Sequence, residues 1–322
     1  MGGGWLLALP TPLGALALTV LLWLWLRRRR PLATKTDSAP TSTRSEPLPA
    51  LADACGMLSC LRCYGLRQTD DFEAVAAALS LSPRFGAMVA ALREGRRLVS
   101  SRAPVQRPTL LFCPGLRCRP LWPRGEAPWA AVLERGAAGV AAEFATVRQA
   151  QPALFRRLPA RNAHGGGGGG GGGWRGGAFV DQGREVAAMQ AACPWTWALL
   201  RRCGAMRGCS LGYAFFSSLA PGMAIEEHCG SSNLKLRAHL ALVVPPQSGA
   251  GRMHLKVGGD RLHWEQHRCA TFDDSLQHSV QLPAGGIGEA DQQQERVVLV
   301  VDLYHPDLTQ GEIGALKALF PP

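Results

Sequence analysis

The chain reads as a mainly β protein: a double-stranded β-helix, or jelly roll, with flanking helices, preceded by a single transmembrane helix. Three observations predict it. Short β-like runs recur between turn residues from Ala178 onward. Ahead of them lie two stretches with helical apolar spacing, and the N-terminus carries a long apolar run that ends in four consecutive arginines.

Trp5 to Leu26 is predominantly apolar and is followed by Arg27, Arg28, Arg29 and Arg30. Roughly 20 residues at 1.5 Å each match the hydrocarbon thickness of a bilayer. Pro10 and Pro12 sit near one end, where a lost hydrogen bond costs less. The positive charges follow the apolar stretch instead of preceding it, which favours an uncleaved anchor over a signal peptide. Residues 1–30 are therefore expected to form a membrane anchor with a basic flank. The positive-inside tendency places everything after it in the cytoplasm.

Residues 31–106 hold a linker, a cysteine cluster and a helical segment. Pro31 to Ala50, rich in Pro, Ser and Thr, predicts an extended linker. Cys55, Cys60 and Cys63 could be a metal site short of a fourth ligand, a palmitoylation cluster or unrelated thiols. Asp70 to Ser100 predicts one or two helices. The run Leu110-Leu111-Phe112 followed by Pro114-Gly115 predicts a strand or turn. Trp129 to Phe155 predicts a helix, with Pro128 suited to its first position. Gly165 to Gly173 has no side chain to pack and predicts a loop or insertion. Strands are then expected at Ala178–Asp181, Tyr213–Leu219, Leu234–Pro245, Arg252–Val257, Arg261–Trp264, Thr271–Asp273 and Arg296–Leu303.

The formal net charge of +11 does not signal nucleic-acid binding. The basic residues are overwhelmingly Arg, with Lys at 35, 235, 256 and 317, and no basic run is interleaved with aromatics. The ten cysteines, including a second group at Cys193, Cys203 and Cys209, follow no zinc-finger spacing. Neither Asn162 nor Asn233 begins a glycosylation sequon.

The chemistry is concentrated in the strand-rich half. In the run 234–243, alternate side chains share a face. Leu234, Leu236, Ala238, Leu240 and Leu242 form one apolar face; Lys235, Arg237, His239, Ala241 and Val243 form the other. That second face is either solvated or the lining of a pocket. In a pocket, Arg237 and His239 would converge on an anion, and the planar Arg fork suits a carboxylate. Arg296 opens the apolar run Val297–Val301 and needs a partner if buried. His228 and His278 stand at expected strand ends, where ligands can project into a barrel mouth. His164, His254, His263 and His267 lack such contexts and are expected at the surface. Glu226, Asp273 and Asp274 are expected to be structural.

The string from His228 through Cys229, Gly230, Ser231 and Ser232 to Asn233, with Leu236-Arg237-Ala238-His239-Leu240 after it, resembles the core of aspartyl/asparaginyl β-hydroxylases. Phe272-Asp273-Asp274-Ser275 before His278, and Val301-Asp302-Leu303-Tyr304-His305-Pro306, resemble that family's later motifs. Leu111–Leu116, Pro120-Leu121-Trp122, Gly173-Trp174 and Cys193-Pro194 fall in the same order. The likeness spans residues 107–322, with the glycine tract at 165–173 as an insertion, and is greatest to membrane-anchored aspartate β-hydroxylase domain-containing proteins. The resemblance implies an Fe(II)- and 2-oxoglutarate-dependent dioxygenase acting on an Asp- or Asn-type side chain of a polypeptide. It implies iron ligands at His228 and His278, and contacts to 2-oxoglutarate from Trp174, Ser217, Arg237, His239 and Arg296. It also implies an endoplasmic-reticulum or secretory-pathway membrane with a lumenal catalytic domain, against the four arginines. One position departs from the usual two-histidine, one-carboxylate triad: Gly230 stands where the carboxylate would be. A jelly roll lacking that ligand could instead be an inactive, membrane-tethered peptide-binding module.

Overall fold

The computed structural model describes residues 44–47, 77–78, 80–158, 173–220, 223–245, 253–281 and 295–322. The apolar run Trp5–Leu26, the cluster Cys55, Cys60 and Cys63, and the glycine tract as far as Gly172 lie outside the described residues. Among the described residues no helix is long and apolar enough to cross a membrane.

The first elements are β1 (Arg44–Pro47), α1 (Pro83–Arg93), β2 (Arg96–Val99), β3 (Leu121–Trp122) and α2 (Pro128–Ala150). There follow β4 (Arg156–Arg157), β5 (Trp174–Asp181), β6 (Arg184–Glu185), α3 (Ala187–Ala192) and α4 (Pro194–Arg202). The remainder comprises β7 (Ala214–Leu219), β8 (Ile225–His228), β9 (Lys235–Val243), β10 (His254–Val257), β11 (Asp260–Leu262), β12 (Cys269–Phe272), β13 (His278–Gln281), β14 (Arg296–Tyr304) and α5 (Gln310–Leu319). Pro128 and Pro194 each occupy the start of a helix, where the missing N–H costs nothing.

From β7 onward the chain winds between two antiparallel sheets. β7, β9, β12 and β14 lie in one sheet of order β3-β12-β9-β14-β7-β5-β4, with β6 on β5. β8, β10, β11 and β13 form the other, of order β11-β10-β13-β8. This alternation is the winding of a jelly roll. The expected strands are present with small shifts of boundary. β8 and β13 place His228 and His278 at strand ends, as expected, whereas β1, β2, β3, β4 and β6 were not anticipated from the sequence. The helices α3, α4 and α5 were also not anticipated.

Strand alternation sorts the side chains. Leu236, Ala238, Leu240 and Leu242 of β9, with Val297, Leu299, Val301 and Leu303 of β14, pack outward with Trp129, Leu133, Val140, Phe144 and Val147 of α2. Each such buried Leu, Val or Phe contributes about 1.5–3 kcal/mol. The other face turns into the space between the sheets, where Ala241, Val298 and Val300 meet Leu255, Val257, Trp264, Phe272 and Val280. Two positions depart from simple alternation. The register of β9 on β14 slips where Val243 opposes Val297 and Ala241 opposes Val298. This bulge turns Val243 toward the helix side, alongside Leu242. Leu234, just before β9, packs in a third cluster with Phe85 and Met88 of α1 and Leu316 of α5. The folded unit thus takes in α1, ahead of residue 107. His254 is buried at 8% exposure, contrary to its expected surface position, because β10 is a central strand of the smaller sheet.

Candidate active site

Strand pairing assembles the site. His228 at the end of β8 lies directly opposite His278 at the start of β13, and their ring centroids are 4.2 Å apart. His228 Nδ1 is 2.7 Å from the carbonyl of Glu226, and His278 Nδ1 is 2.8 Å from that of Leu276. A carbonyl only accepts, so each Nδ1 carries a proton and Nε2 is the ring nitrogen that could ligate. Burial, and then the neighbouring His228, pulls His278 down to about 3. Two imidazoles so arranged are candidate nitrogen donors for a divalent metal.

The turn after His228 is fixed from outside the sheet. Thr109 donates its backbone N–H to the carbonyl of Gly230 at 2.9 Å, and Leu110 and Leu111 donate theirs to that of Ser231 at 3.0 Å. The Asn233 side chain closes both sides of Cys113, accepting from its N–H at 2.8 Å and donating to its carbonyl at 2.7 Å. Two of the motif segments noted in the sequence therefore meet here.

Arg296 is 2% exposed, and its Nη2 is 3.4 Å from Ser217 Oγ. Trp174 Nε1 donates to the same Ser217 Oγ at 2.9 Å. Among the described residues, Nε and Nη1 of Arg296 have no hydrogen-bond partner. Among the described residues no carboxylate pairs with it, and burial lowers the guanidinium to about 10. The ring of Trp264 lies beneath it, 4.8 Å from Cζ to the centroid. From there a chain of ring contacts crosses to the metal side: Trp264 to His239 at 6.3 Å, His239 to Phe272 at 4.9 Å, and Phe272 to His278 at 5.5 Å. His239 is neutral, held well below its ordinary value by burial and then by Arg296 and Arg237. Its Nδ1 has no partner among the described residues.

Arg237 departs from expectation. Its planar fork grips the protein's own Asp302, at 2.8 Å from Nε and 3.0 Å from Nη2. Asp302 also lies 3.3 Å from Lys235 Nζ, and Lys235 in turn is 2.5 Å from Asp274 Oδ2. The two cations and two carboxylates balance one another, whereas among the described residues no carboxylate pairs with Arg296. Burial works against the charge on Asp274, but Lys235 and Arg237 outweigh it and hold the carboxyl below its ordinary value. Burial instead raises the adjacent Asp273 to about 7.

Gly230 has a steric reason. A Cβ there would lie 2.5 Å from Cγ and Oδ2 of Asp274, so that carboxylate already fills the space beside it. Among the described residues no group of three or more His, Cys, Asp or Glu is placed to hold a metal.

All seven residues singled out in the sequence (Trp174, Ser217, His228, Arg237, His239, His278 and Arg296) thus belong to, or border, one space between the sheets. Three others were not anticipated. Asp302 was legible as the acid that interrupts the apolar run of β14, directly opposite Arg237. Asp274 needed its contact with Gly230 to be noticed. Trp264 had no signal in the sequence.

The family model described as Aspartyl/Asparaginyl beta-hydroxylase matches residues 134–306, more than half the chain. Aspartate beta-hydroxylase domain-containing protein 2 of Xenopus tropicalis is 30% identical over 275 residues, covering 83% of this chain and 70% of that protein. The protein of the same description from Homo sapiens is 32% identical over 278 residues, with coverage of 83% and 70%. Aspartyl/asparaginyl beta-hydroxylase of Mus musculus is 30% identical over 146 residues, 45% of this chain but 18% of its own length. Among solved structures, a Pseudomonas putida prolyl-4-hydroxylase aligns with 55% of this chain and 98% of its own, at 20% identity and a TM-score of 0.32. So weak a likeness adds nothing to the topology already described. The motifs around His228 and His278, the match over residues 134–306 and relatives aligned along most of the sequence agree: this chain belongs to the aspartyl/asparaginyl β-hydroxylase family.

Proposed function

We propose that the protein is an Fe(II)- and 2-oxoglutarate-dependent dioxygenase that hydroxylates an Asp- or Asn-type side chain in a polypeptide. The observation that carries this reading is Arg296, a buried cation with no carboxylate partner among the described residues, in the same inter-sheet space as a pair of facing histidines. A lone buried charge is costly, and a dicarboxylate ligand would relieve that cost.

The residues fit both groups. His228 and His278 would hold Fe(II) through Nε2, their rings fixed by the carbonyls of Glu226 and Leu276. Arg296 and Ser217, with Trp174 steadying the serine, would hold one carboxylate of 2-oxoglutarate. His239 and Arg237 would face its other end, the first as a neutral hydrogen-bonding group and the second as a fixed positive charge. When bound, iron and 2-oxoglutarate supply the oxidation: one atom of O2 enters a substrate C–H bond, the other enters succinate, and CO2 leaves. Lys235 and Arg237 keep Asp274 ionised beside Gly230, so that carboxylate remains a hydrogen-bond acceptor at the metal side. The apolar wall of Leu255, Val257, Phe272 and Val280 excludes water from the reacting volume.

The reading includes a membrane anchor at Trp5–Leu26, in the endoplasmic reticulum or secretory pathway. A glycosylation tag near Pro322 tests on which side the catalytic domain lies. The full chain in detergent tests the activity: with Fe(II), O2 and 2-oxoglutarate it is expected to form succinate, and His278→Ala to form none. Gly230, standing where the usual triad has its carboxylate, motivates a second reading, a peptide-binding module without turnover. Peptide capture that is indifferent to His278→Ala, with no succinate formed, would establish that reading instead.

A further inference from the structure

Trp264, on the short segment between β11 and β12, is 7% exposed. Its ring lies under Arg296 Cζ at 4.8 Å. The same ring lies alongside the His239 imidazole, with centroids 6.3 Å apart and planes inclined by 18°. It therefore touches the two groups that stand at opposite ends of the proposed 2-oxoglutarate space. Its contact with Arg296 has a particular chemical consequence. A carboxylate partner would occupy the in-plane N–H groups of the guanidinium, whereas an aromatic face attracts the cation and leaves those donors available. This matches the absence of partners for Arg296 Nε and Nη1 among the described residues. Trp264 also lines a cavity with Arg124, Glu134 and Arg268.

We propose that Trp264 is a positioning residue for the dicarboxylate: its face orients the Arg296 guanidinium, and its flank fixes His239, without consuming a donor of either. This rests on the reading of the inter-sheet space as a 2-oxoglutarate site. The test titrates glutarate, a redox-inert dicarboxylate, calorimetrically into the full-length protein in detergent. Wild type, Trp264→Leu, Trp264→Phe and Arg296→Gln are compared, with Mn(II) binding measured separately for each. Trp264→Leu is expected to weaken glutarate binding about tenfold, and Trp264→Phe, which keeps an aromatic face, to recover to within about threefold of wild type. Mn(II) affinity is expected to be unchanged in both. Wild-type glutarate affinity in Trp264→Leu, with binding lost in Arg296→Gln, would overturn the role of Trp264 alone. Equal loss of glutarate and Mn(II) binding in both Trp264 variants would also overturn it, as the mark of general packing. Glutarate binding that survives Arg296→Gln would overturn the dicarboxylate site itself and the proposal with it.

Discussion

His228 and His278 oppose each other across β8 and β13, with ring centroids 4.2 Å apart and both Nδ1 atoms donating to carbonyls. Each carbonyl lies two residues before its histidine, so strand geometry and tautomer are set together, before any metal arrives. Removing either ring leaves one donor where two are needed. His228→Ala and His278→Ala are each expected to lower Mn(II) affinity by at least about a hundredfold, since even second-sphere losses cost 10–100-fold. Calorimetric titration of the purified variants checks this, and near-wild-type affinity in either would remove that residue from the ligand set.

Arg296 should affect stability and binding in opposite directions. Among the described residues no carboxylate pairs with this buried charge, so replacing it by an apolar chain of similar length removes a penalty. Arg296→Met is expected to be as stable as wild type or up to about 2 kcal/mol more stable without ligand. Wild type should gain about 2.7 kcal/mol at a glutarate concentration of 100 Kd, and the variant nothing. Thermal melts with and without glutarate measure both. A variant that is less stable and still responds to glutarate would contradict the assignment.

The sequence made the alternation of β9 legible because strict two-residue periodicity survives from Leu236 to Ala241, with Arg237 and His239 on the inner face. It could not show that Val243 turns outward, since a bulge is a property of the pairing with β14. The strand ends at His228 and His278 were expected, but the extent and pairing of their strands were not legible. Ile225-Glu226-Glu227-His228 and His278-Ser279-Val280-Gln281 are short, with one apolar residue each, and their strand character comes from pairing with each other and of β13 with β10. The fork of Arg237 was foreseen as a carboxylate clamp. That its carboxylate is Asp302, 65 residues away in sequence, depends on register.

Glu312 locks α5 to α1. It accepts from Ser82 Oγ at 2.7 Å, from Arg84 Nε at 3.1 Å and Nη2 at 2.9 Å, and from the N–H of Thr309 at 2.9 Å. Burial alone would raise its pKa, but Arg84, Thr309 and Ser82 together hold it at about 2, below the ordinary 4.5. A depressed carboxyl stabilises the fold above its unfolded value and loses that contribution as pH falls toward the folded one. Glu312→Gln is therefore expected to cost about 2 kcal/mol at neutral pH, with the difference from wild type shrinking between pH 5 and pH 2. Urea melts across that range test it; a difference that stays constant would show that the charge is not responsible.

Gly230 offers the sharpest test of why the third ligand is missing. It is absent from the positive-φ glycines of the described residues, so the backbone does not demand glycine there. Space does. The Gly230 N–H donates to the Asp274 carbonyl at 2.6 Å, and a Cβ would meet the Asp274 carboxyl at 2.5 Å. Asp274 cannot easily withdraw, because Lys235 holds it at 2.5 Å and Arg237 lies 3.5 Å away. Gly230→Asp, which writes the usual triad into the chain, should therefore fail to strengthen metal binding. It adds a second carboxylate against the first and forces one of them to move, at a cost of about 2–3 kcal/mol in stability. Gly230→Ala, which adds the clash without the charge, should lose a smaller part of this, and its Mn(II) affinity should also fail to rise. Calorimetric Mn(II) titrations and thermal melts on both variants decide it. Tighter Mn(II) binding by Gly230→Asp at undiminished stability would mean that Asp274 yields the space freely, and that steric exclusion is not what keeps the triad incomplete.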